Sequence, residues 1–158
     1  MRHDQHKTMT TTRFRFDTMN TTTQITISDK EADNIAQIIG WLCYKSYGIN
    51  VQNGWWEKRN QTVAALDAIG IDHRPNQMIE VLGLVGTEVS EAIEAARKHP
   101  ADTWSDPYTK DTLVRECAGT VIRIMDLCQH VGLPLGEAIV EELRANMQRG
   151  HMHGGKKA

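Results

Sequence analysis

The sequence LVRECAGTVIRIMDLCQHV, residues 113–131, places apolar side chains around most of the circumference of an α-helix. A helix with this pattern is expected to be buried between other helices, because a surface helix keeps one polar face. Gly132 then favours a helix end, and Pro134 favours the first turn of a last helix that closes before Gly150. We therefore predict an all-α bundle of four to five helices with residues 113–131 at its centre.

The N-terminal part of the bundle is predicted to begin at a capping box. Ser28 is followed three residues later by Glu31, and apolar residues then recur at helical spacing to about Tyr47. A turn comes next, and the short helical segment after it ends near Gly70.

A second long helix is predicted between Pro75 and Lys98, where apolar residues follow one face of a helix. Residues 99–107 contain two prolines and have no apolar period, so they are predicted to form a loop. The central helix is expected to begin at the end of that loop, near Pro107 or Tyr108.

The composition indicates one globular domain of nearly neutral charge. The chain has 158 residues, of which 20 are acidic and 18 are basic, a balance that does not favour nucleic-acid binding. No apolar run is long enough for a membrane span or a signal peptide, so we expect a cytoplasmic protein without a membrane partner. We predict a flexible tail at residues 1–27, a helical domain at 28–150 and a flexible basic tail at 151–158.

The cysteines and the C-terminal histidines are not expected to bind a metal. Cys43, Cys117 and Cys128 show no CxxC spacing and lie within apolar helical patterns, so they are predicted to be buried thiols. His151 and His153 lie on the predicted C-terminal tail, where solvated histidines are more common than a dedicated metal site.

Acidic residues interrupt the apolar face of the second long helix. Glu88 and Glu91 lie about one turn apart, so their carboxylates can share one cation. Glu88 also continues the row formed by Val81, Val85 and Ala92, where another aliphatic residue is expected. A carboxylate at that position is costly unless a positive charge compensates it.

Glu116 presents the same conflict on the central helix, which leaves little solvated face. Three inward carboxylates on neighbouring helices suit a hard divalent cation such as Mg²⁺, which prefers oxygen ligands and associates with phosphates. The simpler alternative is a solvated acidic edge formed by Glu88, Glu91 and Glu94. Glu116 would then be neutralised by one of three arginines: Arg97, Arg115 or Arg123.

Four blocks of the sequence are distinctive: GTEVSEAIEAARK at 86–98, RECAGTVIRIMDLC at 115–128, NMQRGHMHGGKK at 146–157 and GWWEKRN at 54–60. These blocks resemble the MazG-like family of all-α nucleotide pyrophosphohydrolases, particularly its compact phage and bacterial forms. Together the resemblance covers about residues 41–158.

The resemblance implies a metal-dependent enzyme that cleaves a nucleoside or deoxynucleoside triphosphate between its α- and β-phosphates. The products would be the monophosphate and pyrophosphate, with dGTP or another purine nucleotide as the expected substrate. Glu88, Glu91 and Glu116 would be the catalytic carboxylates and the ligands of Mg²⁺ or Mn²⁺. Asn146 and Arg149 would contact the substrate phosphates, and the chain would form a homodimer or a homotetramer.

Some of these roles have structural alternatives. Asn146 and Arg149 could form an ordinary helix C-terminus. Trp55 or Trp56 could stack on the nucleotide base, because a flat aromatic face tolerates several bases, or both could pack in the core.

The sequence also departs from the family pattern. The second acidic motif usually ends in aspartate, and this chain has Gly119 there. Asp126 lies nearly two turns further along and is expected instead to pair with Arg123 or to cap a neighbouring contact. Glu142 and Ala145 replace the usual lysine and tyrosine of the last helix. A second hypothesis is therefore a catalytically weakened nucleotide-binding or regulatory protein with the same fold.

Overall fold

A computed structural model of the protein describes residues 25–149. Among these residues there are helices and no strands, so the prediction of an all-α protein is confirmed. The five α-helices are α1 (Asp29–Gln52), α2 (Glu57–Asp67), α3 (Arg74–Lys98), α4 (Leu113–Val131) and α5 (Leu135–Gln148). Most of both predicted tails, including His151 and His153, lies outside the described residues.

The predicted capping box is present at the start of α1. The Glu31 carboxylate accepts a hydrogen bond from the Ser28 backbone nitrogen at 2.9 Å, and the Glu31 backbone nitrogen donates to Ser28 Oγ at 3.4 Å. The helix continues past the predicted end at Tyr47 because residues of its last two turns have tertiary partners. The Tyr47 ring lies 6.2 Å from the Trp56 ring, and Asn50 donates a hydrogen bond to Asp126.

The prediction that the central helix begins near Pro107 or Tyr108 was wrong, since α4 begins at Leu113. The intervening residues form a turn in which Asp106 accepts a hydrogen bond from the Tyr108 backbone nitrogen at 2.8 Å. Asp111 has a φ angle of 61°, which an α-helix cannot accommodate. The turn chemistry of aspartate thus outweighs the helix-starting tendency of proline here.

Helix α4 lies between α1 and α3, while α5 packs on α1 and α2 packs on α3. The core cluster consists of Trp56, Val81 and Leu127. It lies where Trp56, the residue immediately before α2, packs against α3 and α4. Glu88 and Glu116, on α3 and α4, therefore belong to the most closely associated helix pair of the bundle.

The prediction that α4 is buried around most of its circumference holds only for part of the helix. Residues 125–128 are buried, whereas Val121 and Ile122 are each 48% exposed. Cys117 is also exposed, which corrects the prediction of three buried cysteines, while Cys43 and Cys128 are buried as expected.

No helix of the described residues combines the length and the apolar character needed to cross a membrane.

Candidate functional site

The three predicted carboxylates meet between α3 and α4. Glu88, Glu91 and Glu116 each contribute an oxygen to a group in which all three atoms lie within 4.8 Å of one another. They border an open cavity of about 530 Å³. Its other charged or polar walls come from four residues: Glu94, Lys98, His99 and Asp111.

The carboxylates of this group differ in exposure and in pairing. Glu91 is exposed, Glu116 is half-buried, and the Glu88 side chain is only 13% exposed. Burial raises the pKa of Glu116, and the negative charges of Glu91, Glu88 and Asp111 raise it further. Among residues 25–149, neither Glu91 nor Glu116 forms an ion pair. The group therefore holds negative charge that a cation would stabilise.

Glu94 lies on a solvated acidic edge, as the simpler alternative predicted. Its carboxylate lies 2.7 Å from both Arg97 Nη2 and Lys98 Nζ, and these two hydrogen-bonded cations lower its pKa. Glu116 does not follow that alternative, because none of the three candidate arginines pairs with it.

Glu88 pairs with Arg123 across the α3–α4 contact. Arg123 Nε and Nη2 both lie 2.6 Å from Glu88 Oε1. The other carboxylate oxygen, Oε2, occupies the space that a side chain at Gly119 would need, since a Cβ there would clash with it. Glycine at position 119 thus makes room for the carboxylate of Glu88.

Of the two alternatives for Asp126, the pairing with Arg123 is not found. Asp126 is buried and accepts hydrogen bonds from Trp56 Nε1 at 2.9 Å and from Asn50 Nδ2 at 2.8 Å. Its charge is thereby solvated by two neutral donors, which leaves Arg123 available for Glu88.

A second cavity of about 210 Å³ lies on the other side of Glu88. Trp55 and Trp56 contribute to its wall, together with polar side chains and the aliphatic residues of α3 and α4. The polar side chains are those of Asn50, Arg59, Glu88, Arg123 and Asp126. An aromatic cavity thus adjoins an acidic one, with Glu88 in the wall of both.

The two tryptophans occupy different environments. Trp55 is 53% exposed, so its ring can contact a ligand in the second cavity. Trp56 is 4% exposed and stacks on His130 with ring centroids 3.7 Å apart. Trp56 therefore serves the core and contributes only part of its edge to the cavity.

Asn146 and Arg149 are not brought to the carboxylates within the chain. Both are exposed at the end of α5, which packs on α1, and neither lines the two cavities that Glu88 borders. Arg149 Nη2 lies 3.0 Å from Glu142 Oε1, so this arginine is paired with a carboxylate of its own helix.

Sequence reasoning missed the role of Arg123 in the site. Glu116 and Arg123 are seven residues apart, so they lie on nearly the same face of α4 with Gly119 between them. That spacing already pointed Arg123 toward the acidic residues of α3. Asn50 carried no comparable signal, because its partner lies 76 residues away.

The donor set fits a hard divalent cation. Three carboxylates from two helices offer oxygen ligands only, and the open cavity leaves room for the waters and phosphate oxygens that Mg²⁺ and Mn²⁺ commonly retain. Comparisons with protein-family models, with curated proteins and with solved structures gave no match to this chain.

Proposed function

We propose that this protein is a divalent-metal-dependent nucleotide pyrophosphohydrolase of the MazG-like type. It would cleave a nucleoside or deoxynucleoside triphosphate to the monophosphate and pyrophosphate. The observation that supports this most is the group of Glu88, Glu91 and Glu116 oxygens within 4.8 Å of one another. Two of the three carboxylates have no counter-ion in the described part of the chain, so a cation would remove their mutual repulsion.

The two neighbouring cavities would bind different parts of the substrate. Glu88, Glu91 and Glu116 would hold Mg²⁺ or Mn²⁺, which when bound neutralises phosphate oxygens and activates water. The triphosphate would lie in the acidic cavity, and the base would contact the exposed Trp55 ring in the aromatic one. A purine such as that of dGTP is the base we expect there, on the family resemblance alone.

The test is to incubate the purified protein with each common NTP and dNTP in Mg²⁺, in Mn²⁺ and in chelator. We expect metal-dependent release of monophosphate and pyrophosphate, reduced about a hundredfold or more in Glu91→Gln. Glu91 is preferred to Glu88 for this test, because removal of Glu88 would leave Arg123 unpaired. Glu80→Gln is the matched control and should retain activity, since Glu80 is an exposed carboxylate of the same helix and borders neither cavity.

A weakened nucleotide-binding protein is the second candidate, and Gly119 is the observation that favours it. The family aspartate would supply a fourth carboxylate, whereas the space beside Gly119 holds Glu88 Oε2. Metal-dependent nucleotide binding by calorimetry, with no turnover of any nucleotide, would support this candidate. Turnover that depends on Glu91 would exclude it.

We also propose that the protein forms a homodimer, or a homotetramer built from two such dimers. The exposed face of α3 carries Ile79, Leu82, Val89 and Ile93, which are between 44% and 67% exposed. Their spacing of three, seven and four residues forms a continuous apolar stripe along the helix, which we call the α3 stripe. None of residues 25–149 is fully buried, so the isolated chain has a thin core that a partner would complete.

A further inference from the structure

We propose that Arg123 is a positioning residue that competes with the divalent cation for the carboxylate of Glu88. Arg123 holds Glu88 in the structure, and the guanidinium would move toward the aromatic cavity when Glu88 coordinates a cation. This inference rests on the proposed metal-dependent function. It assigns a role to Arg123, which is not one of the three proposed metal ligands.

The first support is the geometry of the ion pair. Arg123 places two nitrogens, Nε and Nη2, 2.6 Å from the same oxygen of Glu88. The Glu88 side chain is 13% exposed and that of Arg123 is 33% exposed, so solvent screens this pair less than the surface pairs of Glu94. A cation that coordinates Glu88 Oε1 has to replace contacts with a full positive charge.

The second support is the space at Gly119. A Cβ at this position would lie 3.3 Å from Glu88 Cδ and would clash with Glu88 Oε2. Glu88 can therefore lie against α4, within reach of Arg123, only because position 119 lacks a side chain. An aspartate there would push Glu88 away from α4 and add a carboxylate of its own.

The third support is the charge balance of the cluster. Glu91 and Glu116 have no ion-pair partner among the described residues, so within residues 25–149 only Arg123 forms an ion pair with a member of the group. Removal of the guanidinium would leave three carboxylates whose negative charge attracts a divalent ion more strongly. Arg123 also lines the aromatic cavity, so a released guanidinium has an adjacent place to go.

The first experiment measures Mn²⁺ binding by electron paramagnetic resonance, without nucleotide, in the full-length protein. Arg123→Gln should bind Mn²⁺ about tenfold more tightly than the unaltered protein, which corresponds to about 1.4 kcal/mol. Arg74→Gln is the matched control, because Arg74 is an ion-paired arginine at an exposed position at the start of α3 and borders neither cavity. It should change the Mn²⁺ affinity much less than Arg123→Gln does.

A second measurement follows Arg123 in the unaltered protein, so its result does not depend on how well a variant folds. In protein labelled with ¹⁵N-arginine, the Arg123 Nε–H proton should exchange slowly with water while Glu88 holds it. Addition of Mg²⁺ should speed that exchange, and the loss of the signal in Arg123→Gln assigns it. An Arg123 signal that stays protected at saturating Mg²⁺ would overturn the inference.

The outcomes separate this inference from the proposed function. If the unaltered protein binds Mn²⁺ and hydrolyses nucleotides, but Arg123→Gln binds Mn²⁺ equally or more weakly, only the role of Arg123 is refuted. If neither protein binds Mn²⁺, the metal site and the role of Arg123 are both refuted.

Discussion

The protonation of Glu116 is the residue-scale property most open to measurement. Burial and the neighbouring carboxylates raise its pKa, so the folded protein binds this proton more tightly than the unfolded chain does. In chelator, the contribution of Glu116 should favour folding most below pH 4.5 and should decline as the pH rises through the raised pKa. Urea unfolding at a series of pH values measures this decline.

The Glu116→Gln variant provides the control for that pH dependence. The free energy of unfolding of this variant should not show that decline with rising pH, because the amide carries no charge at any pH. Mn²⁺ should remove the decline from the unaltered protein and leave the variant nearly unchanged. An identical pH profile in both metal-free proteins would contradict the assignment.

His130 is a second residue whose environment predicts a dependence of stability on pH. It stacks on Trp56, its Nδ1 atom is buried without a hydrogen-bond partner in the described chain, and burial lowers its pKa against the opposing charge of Asp126. Stability should therefore be lost as the pH falls below 6.5 toward the lowered pKa. His130→Phe keeps the stacking and should raise the unfolding free energy at pH 7 by about 1 kcal/mol.

Urea unfolding of His130→Phe at several pH values checks both parts of this prediction. The variant should lose less stability than the unaltered protein between pH 6.5 and acid. A variant that is less stable at neutral pH would mean that Nδ1 has a favourable partner.

At the scale of elements, the contact of α5 with α1 depends on one glycine. A Cβ at Gly136 would lie 2.9 Å from Ala36 Cα and would clash with the Ala36 carbonyl oxygen. Because backbone atoms cannot move aside, Gly136→Ala should lower the unfolding free energy by about 2 kcal/mol.

Gly40→Ala on α1 is the matched control for Gly136→Ala. A Cβ at Gly40 meets nothing within 4 Å, so this substitution should stabilise the helix by about 0.5 to 1 kcal/mol. Chemical denaturation measures both changes. Equal effects of the two substitutions would show that the helices do not approach as closely as described.

At the scale of the whole molecule, the α3 stripe predicts self-association. Gly86 lies midway along it, so an antiparallel copy would place Ile79 of one chain near Ile93 of the other around a two-fold axis. Leu82→Glu, within the stripe, should convert the dimer to monomers in sedimentation velocity experiments.

The control for the α3 stripe is Ile25→Glu, because Ile25 is 62% exposed but lies before α1 and away from the stripe. This variant should keep the mass of the unaltered protein. A monomeric unaltered protein at micromolar concentration would contradict the proposed dimer.

The sequence determined the helices, because helix formation depends on neighbours three and four residues apart. The capping box at Ser28 and the apolar rows of α3 and α4 were visible in that spacing, and so was the pair of Glu88 and Glu91. The start of α4 was misplaced because the turn at Asp106 and Asp111 competes locally with proline.

Only the tertiary structure decided which charges meet. Arg123 reaches Glu88 across 35 residues of sequence, and Trp56 reaches Asp126 across 70, so no local period encodes either contact. The burial of Trp56 follows from the same long-range packing. A helix periodicity fixes the face on which a side chain lies, whereas the partner it meets depends on how closely the helices approach, as the space at Gly119 shows.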